Sequence, residues 1–322
     1  MRGILFEAPR RIRVVEDVAV PVPADGEVLV HCTHVGLCGS NMPQYTAEGR
    51  WAKSTWPGPV GWSGHENVGL IVQSRLPGWP EGTPVLAQSR DHHGYVESIV
   101  AQRQSLARLP EEASDLAPYI VAQPLATVLR ALSKTEPVIN QRCAVVGQGP
   151  IGLLFTWMLR RSGARQVIAL DKVGWRLDWS RRLGASAVVD TSQEDAVEAV
   201  RALTDGEMVD FAIEAADTPE ALTTAAYLLR REGRLCPFGV PRYETQEFPW
   251  LHALHNELRV VTSHGSGCMR FFQAAVDLVA SEGTEVTQIV TPRLPWDQAP
   301  EAFAMYADPA KHVGSLKVVL EL

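Results

Sequence analysis

Positive charge is in short supply in this chain: 30 Lys and Arg stand against 37 Asp and Glu, a net charge of -7 at neutral pH. That sign opposes attraction to phosphate backbones and anionic lipid, so no nucleic-acid or membrane partner is expected. Long apolar runs are lacking as well. The longest, residues 143–159, is broken by Gln148, three glycines and Pro150 and is flanked by Arg142 and Arg160, whereas a membrane span needs about 20 apolar residues. Glu7 interrupts the N-terminal segment before an apolar core of signal-peptide length can form. Cysteine is sparse and odd in number, five without close pairing, which offers no disulfide framework and fits a reduced, cytoplasmic setting.

What remains has the composition of a folded globular protein. Hydrophobic residues make up 46% and charged residues 21% of 322, a length that suits two domains with a core each. Up to about residue 108 the text consists of short β-rich runs punctuated by Gly and Pro, at 11–15, 26–33, 68–74, 83–87 and 95–100, which read as antiparallel strands. After about residue 122 it alternates strand and helix, the grammar of a parallel sheet. Strands are expected at 143–146, 166–170, 209–213 and 234–239. Helices are expected from about 176 to a left-handed stop at Gly184, at 219–229 and at 271–280, with a closing strand at 314–320. Ser192 and Asp195 resemble a capping arrangement ahead of a helix with Val197, Val200 and Leu203 on one face.

The string Gly147-Gln148-Gly149-Pro150-Ile151-Gly152 follows an apolar strand and opens a helix. Each glycine has a physical reason there: a tight turn at Gly147, backbone approach to a pyrophosphate at Gly149, and close helix–strand packing at Gly152, with the helix N-terminus facing the negative charge. Asp171 lies 24 positions after Gly147, at the end of the next strand, where a carboxylate accepts hydrogen bonds from an adenosine ribose. The same carboxylate repels a 2′-phosphate, so NAD is expected over NADP, although Lys172 and Arg176 lie nearby. Gly147, Gly149, Pro150, Ile151, Gly152, Asp171 and Arg176 are the expected cofactor contacts.

A second constellation lies earlier. Cys38 stands in Gly36-Leu37-Cys38-Gly39-Ser40, and 27 residues later comes Gly64-His65-Glu66-Asn67-Val68-Gly69. Thiolate, imidazole and carboxylate together form a natural zinc set.

With these motifs, and with the tail Glu301-Ala302-Phe303, the chain resembles the medium-chain dehydrogenase/reductase family, in particular its zinc-dependent alcohol, polyol and threonine dehydrogenases. The resemblance spans nearly the whole chain. It implies an α/β fold: a mainly β, partly barrel-like (GroES-like) catalytic domain from residues 1–123 and 267–322, around a doubly wound Rossmann domain at 124–266. It also implies a catalytic zinc that lowers the pKa of a bound alcohol so that hydride can pass to the nicotinamide. Cys38 and His65 would be ligands, Glu66 an alternate ligand or a carboxylate behind them, and Ser40 the carrier of the substrate proton.

The departures from the family pattern bear on that zinc. Gln123, in Ala122-Gln123-Pro124-Leu125, stands where polyol-dehydrogenase-like members have a Glu that serves as third ligand. Asn41 replaces an Asp that would orient the imidazole. The segment Met42-Pro43-Gln44 lacks a relay histidine. Three readings stay open: zinc on Cys38, His65 and Glu66; zinc recruited by Asp91, His92 or His93; or a metal-free reductase. No cysteine occurs between Glu66 and Cys143, so no structural zinc is expected. Trp51, Trp56 and Trp62, with Arg50 and Lys53, form either an aromatic and basic wall over substrate or loop packing. Cys143 and Cys236 read as packing residues. His252, His255, His264 and Cys268 receive no role.

The expected function is NAD-dependent interconversion of a secondary alcohol and a ketone on a polar substrate: a polyol, sugar derivative or hydroxy acid. The alternatives are a metal-free quinone or enone reductase and a non-catalytic NAD(H) sensor. A homo-oligomer, dimer or tetramer, is expected, with an edge strand at 258–263 available for pairing.

Overall fold

The computed structural model describes residues 1–308 and 313–322. The chain divides into two compact units, Met1–Ala126 with Cys268–Leu322 and, between them in sequence, Thr127–Gly267. In chain order the strands are β1 (Gly3–Ala8), β2 (Arg11–Val15), β3 (Glu27–Gly36), β4 (Asn67–Ser74), β5 (Pro84–Ala87), β6 (Ser98–Gln102), β7 (Leu106–Arg108), β8 (Arg142–Val146), β9 (Gln166–Asp171), β10 (Ala187–Asp190), β11 (Val209–Glu214), β12 (Leu229–Pro237), β13 (Arg259–Val260), β14 (Arg293–Pro295) and β15 (Val319–Glu321).

The first unit is mainly β. Its large sheet runs β14-β15-β3-β4-β5-β7, with β6 also on β3, and β1 pairs with β2 separately. All these pairings are antiparallel except β14 with β15. The core gathers Phe6, Tyr45, Tyr95 and Phe303, whose rings lie 5.3 to 6.5 Å apart, mostly edge to face or tilted, the arrangement that ring quadrupoles favour. Phe303 comes from the helix Ala299–Ala307, so the returning C-terminal segment completes a core that the N-terminal strands begin.

Two expected strands are displaced. The run at 95–100 joins the sheet only as β6, because Tyr95 spends its backbone elsewhere: its N–H bonds the Gly61 carbonyl, and its carbonyl accepts the Ile4 N–H. The closing strand is confined to β15, because Leu316 and Lys317 donate to the carbonyls of Thr291 and Ile289.

The second unit is the doubly wound sheet. Its order is β10-β9-β8-β11-β12-β13, parallel throughout. The chain winds outward from β8 to β10 and then restarts at β11, so the switch point lies between β8 and β11, where such sheets bind ligands at their carboxyl ends. Strand β12 begins earlier than 234: Leu229 pairs with Val209, four residues bulge, and Arg234 pairs with Phe211, which also ends the preceding helix at Tyr227. The expected capping pair resolves differently. Asp195 itself caps the helix Ala196–Leu203, accepting from Val197 and Glu198 N–H, while Ser192 bonds Asp190. Among the described residues no helix is long and apolar enough to cross a membrane.

Candidate active site and cofactor cradle

Strand β3 ends just before Cys38 and β4 begins just after Glu66, and the antiparallel register Val35 to Asn67 brings both segments to one end of the sheet. The donor atoms of Cys38, His65 and Glu66 lie within 4.8 Å of one another, the one such trio of His, Cys, Asp and Glu found among the described residues. Cys38 and His65 are partly exposed and Glu66 is buried. His65 Nδ1 lies 2.8 Å from the Ser63 carbonyl oxygen, an acceptor that holds the proton on Nδ1 and leaves Nε2 to ligate. The Ser63 carbonyl thus holds the ring, and Asn41, which stands where the family pattern has an orienting acid, is not the Nδ1 partner. Its amide donates to the same Ser63 carbonyl at 3.0 Å and to Ser63 Oγ at 2.6 Å, and its oxygen accepts the Tyr95 hydroxyl at 2.7 Å. Gln44 accepts from Ser63 Oγ at 3.2 Å.

Burial, the largest influence, would raise the Cys38 thiol, but the charge and hydrogen bond of His65 together with the Lys317 charge bring the net shift downward. Burial would lower His65, yet the Cys38 thiolate raises it to about 9. Each of the two thus favours the charged form of the other, and the thiolate is the form a metal takes. Ser40 Oγ donates to Cys38 Sγ at 3.2 Å from an exposed position.

Sequence reasoning missed the partner of Glu66. Lys317 Nζ donates to Oε1 at 2.9 Å, to Oε2 at 2.8 Å and to the Leu37 carbonyl at 2.9 Å, using all three ammonium protons. Both side chains are buried. Gly36 makes room for this pair, since a Cβ there would run into the Glu66 carboxylate and Ile120. The available signal was a lone Lys inside the apolar run 316–320.

Gln123 is buried on the first turn of the helix Ala122–Leu132, with Nε2 4.0 Å from Cys268 Sγ. On the 91–93 loop, Asp91 accepts from Ser89 Oγ and from the His93 N–H, and His92 Nδ1 lies 3.1 Å from Gln88 Nε2. The three tryptophans separate. Trp56 packs on the core, Trp51 lies under Arg50, and Trp62 meets His92 and His93 edge to face at ring distances of 6.2 and 5.8 Å. Cys143 and Cys236 are buried, their thiols pushed up to about 12.

The second unit carries a cradle. Gly147 has φ +92°, and a Cβ there would lie 2.8 Å from that of Ala216; a Cβ on Gly152 would overlap the Gly147 carbonyl. At Gly149 the space is open, the nearest atom being Arg176 Nη1 at 4.0 Å from an added Cβ. Pro150 and Ile151 form the first turn of the helix Pro150–Arg161. Asp171, buried at the end of β9, accepts the Gln148 N–H at 2.6 Å on Oδ2 and the Val173 N–H at 2.8 Å on Oδ1, with Arg176 Nη1 3.8 Å from Oδ2. Trp175 Nε1 and Arg176 Nε are buried without a protein partner, and Arg176 lies beside the open glycine. Across the switch point Glu214 accepts N–H groups from Ala216, Asp217 and Gly239 at 2.7, 2.6 and 3.2 Å, and burial pushes its carboxyl up. Its signal was an acid ending an apolar strand.

Residues 150–281 match the zinc-binding dehydrogenase family. The D-arabitol-phosphate dehydrogenase of Enterococcus avium is 23% identical in an alignment covering 100% of this chain and 97% of that protein. The erythritol/L-threitol dehydrogenase of Mycolicibacterium smegmatis is 26% identical, with 92% and 91% covered. An alcohol dehydrogenase from Thermus sp. superimposes with a TM-score of 0.88 over 100% of both chains at 24% identity.

Proposed function

From the premise that this chain is an alcohol-dehydrogenase-like oxidoreductase of the medium-chain dehydrogenase/reductase family, we propose that it interconverts a secondary alcohol and a ketone on a polar substrate with NAD and one catalytic zinc. The observation that carries the reading is the convergence of Cys38, His65 and Glu66 donors within 4.8 Å in a chain that also has the glycine cradle. Substrates of the polyol, sugar-derivative or hydroxy-acid kind are favoured by the polyols in the relatives' names.

The donor set fits zinc in type: a thiolate already poised by His65, an imidazole with its other nitrogen held, and a carboxylate. Cys38 and His65 would hold the ion, with Glu66 as the third protein donor where it releases one oxygen from Lys317. When bound, zinc supplies a Lewis acid for the alcohol oxygen and NAD supplies the hydride acceptor. Ser40, exposed and within reach of Cys38, accepts the substrate hydroxyl proton and passes it to solvent. Glu66 keeps a negative charge behind the site, which Lys317 balances. Gly149 and the N-terminal turn at Pro150 and Ile151 receive the pyrophosphate. Asp171, whose oxygens each retain a lone pair, accepts from the adenosine ribose, and Arg176 covers the adenosine side.

The working form is a cytoplasmic homo-oligomer paired through the edge strand β13, beside which Trp250, Leu251 and Leu254 are about 70% exposed. A metal-free quinone or enone reductase is the second reading, favoured by Lys317 occupying both oxygens of Glu66 and by the neutral Gln123.

Elemental analysis of protein purified without chelator tests the choice. About one zinc per chain, lost in Cys38→Ala, is expected. NAD(H) binding without zinc would overturn the metal mechanism in favour of the reductase.

A further inference from the structure

One polar side chain at the cradle has no part in the reading above. Gln148 sits between the first two glycines of the loop, and its side chain is wholly buried. Nε2 donates to the Val145 carbonyl at 2.9 Å, and Oε1 accepts the hydroxyls of Thr156 at 3.0 Å and Ser180 at 2.9 Å. These partners lie on three elements: β8, the helix Pro150–Arg161, and the helix Gly174–Arg182 that carries Arg176. The Ser180 hydroxyl is also 3.0 Å from the Arg176 carbonyl. The backbone N–H of the same glutamine holds Asp171. A buried amide with both carbonyl lone pairs used is expensive to break and rigid when intact.

We infer that Gln148 is a positioning residue that fixes the pyrophosphate loop at a set distance from the Asp171 and Arg176 end, so that the pyrophosphate and the adenosine ribose of one dinucleotide are received together. The inference rests on the nicotinamide-cofactor reading. It predicts a loss specific to ligands that span both ends, since a preformed spacing strengthens the second contact once the first is made.

The experiment measures NADH and adenosine binding, together with thermal stability, for the wild type, Gln148→Met, and the triple variant Gln148→Met with Thr156→Val and Ser180→Ala. Gln148→Met is expected to weaken NADH about tenfold while adenosine, which reaches only the Asp171 end, changes less than about twofold. The triple variant leaves no buried hydroxyl unpaired and is expected to regain thermal stability without regaining NADH affinity. Recovery of NADH affinity along with stability, or equal losses for NADH and adenosine, would show a purely structural glutamine and overturn the inference. A wild type that binds neither NADH nor NADPH overturns the cofactor reading itself, and the inference with it.

Discussion

The Cys38, His65 and Glu66 trio and the glycine cradle are built from different materials. The cradle is mostly backbone: Gly147, Gly149 and Gly152 matter for the side chains they lack. Its acid, Asp171, is anchored by main-chain N–H groups. The trio is all side chain, and its balance depends on Lys317, 251 positions from Glu66. A site of backbone is sensitive to added volume, and a site of buried charge is sensitive to removed charge. The contrast predicts how each unit fails.

The largest effect is expected on the charge side. Lys317→Met strands the Glu66 carboxylate in a buried position and should cost roughly 3–5 kcal/mol in urea denaturation, with much of the loss recovered by adding Glu66→Gln. If the single variant unfolds like the wild type, the trio is not held by its distant partner. Next, Ser40→Ala should lower kcat for alcohol oxidation by about 100-fold with little change in melting temperature; an unaltered kcat would take Ser40 out of the proton path. On the volume side, Gly152→Ala should cost about 1–3 kcal/mol and weaken NADH measurably. Unchanged affinity would mean that the cradle is not set by helix–strand approach.

The smallest effect sharpens the contrast in the metal-free protein. His65, raised from 6.5 to about 9, contributes stability that is complete below 6.5 and lost as the pH climbs through 9. Cys38, lowered from 9.0, contributes stability that is complete above 9.0 and lost as the pH falls through its native value. Below 9, and above both 6.5 and the native value of Cys38, the slopes oppose each other, so the urea midpoint should change little there. In His65→Gln, burial and the Glu66 charge leave the thiol raised instead, so the midpoint should fall as the pH passes 9. Parallel profiles for the two proteins would contradict a thiolate–imidazolium pair.

What the sequence makes legible follows the same division. Each fingerprint glycine answers to a local backbone condition, so the strand, loop and helix around 142–161 can be read from a dozen letters. The left-handed Gly184, with φ +98°, is legible for the same reason. Asp195 shows the limit of local reading. Two candidate caps stand three residues apart, and only the actual helix start decides between them. Long-range partners are illegible: nothing near Tyr95 announces that its backbone is claimed by Gly61 and Ile4, which moves β6 along the chain. Nothing near His65 says that Ser63, rather than position 41, holds its ring. Lys317 was visible as an anomaly, but its partner lies across the sheet from a segment some 250 letters earlier.

The split of the first unit between the two ends of the chain carries a consequence for biosynthesis. During translation β3 and β4 emerge early and set Glu66 at the end of a sheet whose neighbour β15 and whose counter-charge Lys317 follow far later, the lysine 251 positions after Glu66. The middle unit has all of its strands by residue 260. A nascent or truncated chain can therefore complete the cofactor half while the carboxylate of the other half waits without its cation. Chains stopped short of residue 317 should present the trio unfinished to chaperones and proteases, a built-in mark of incomplete synthesis.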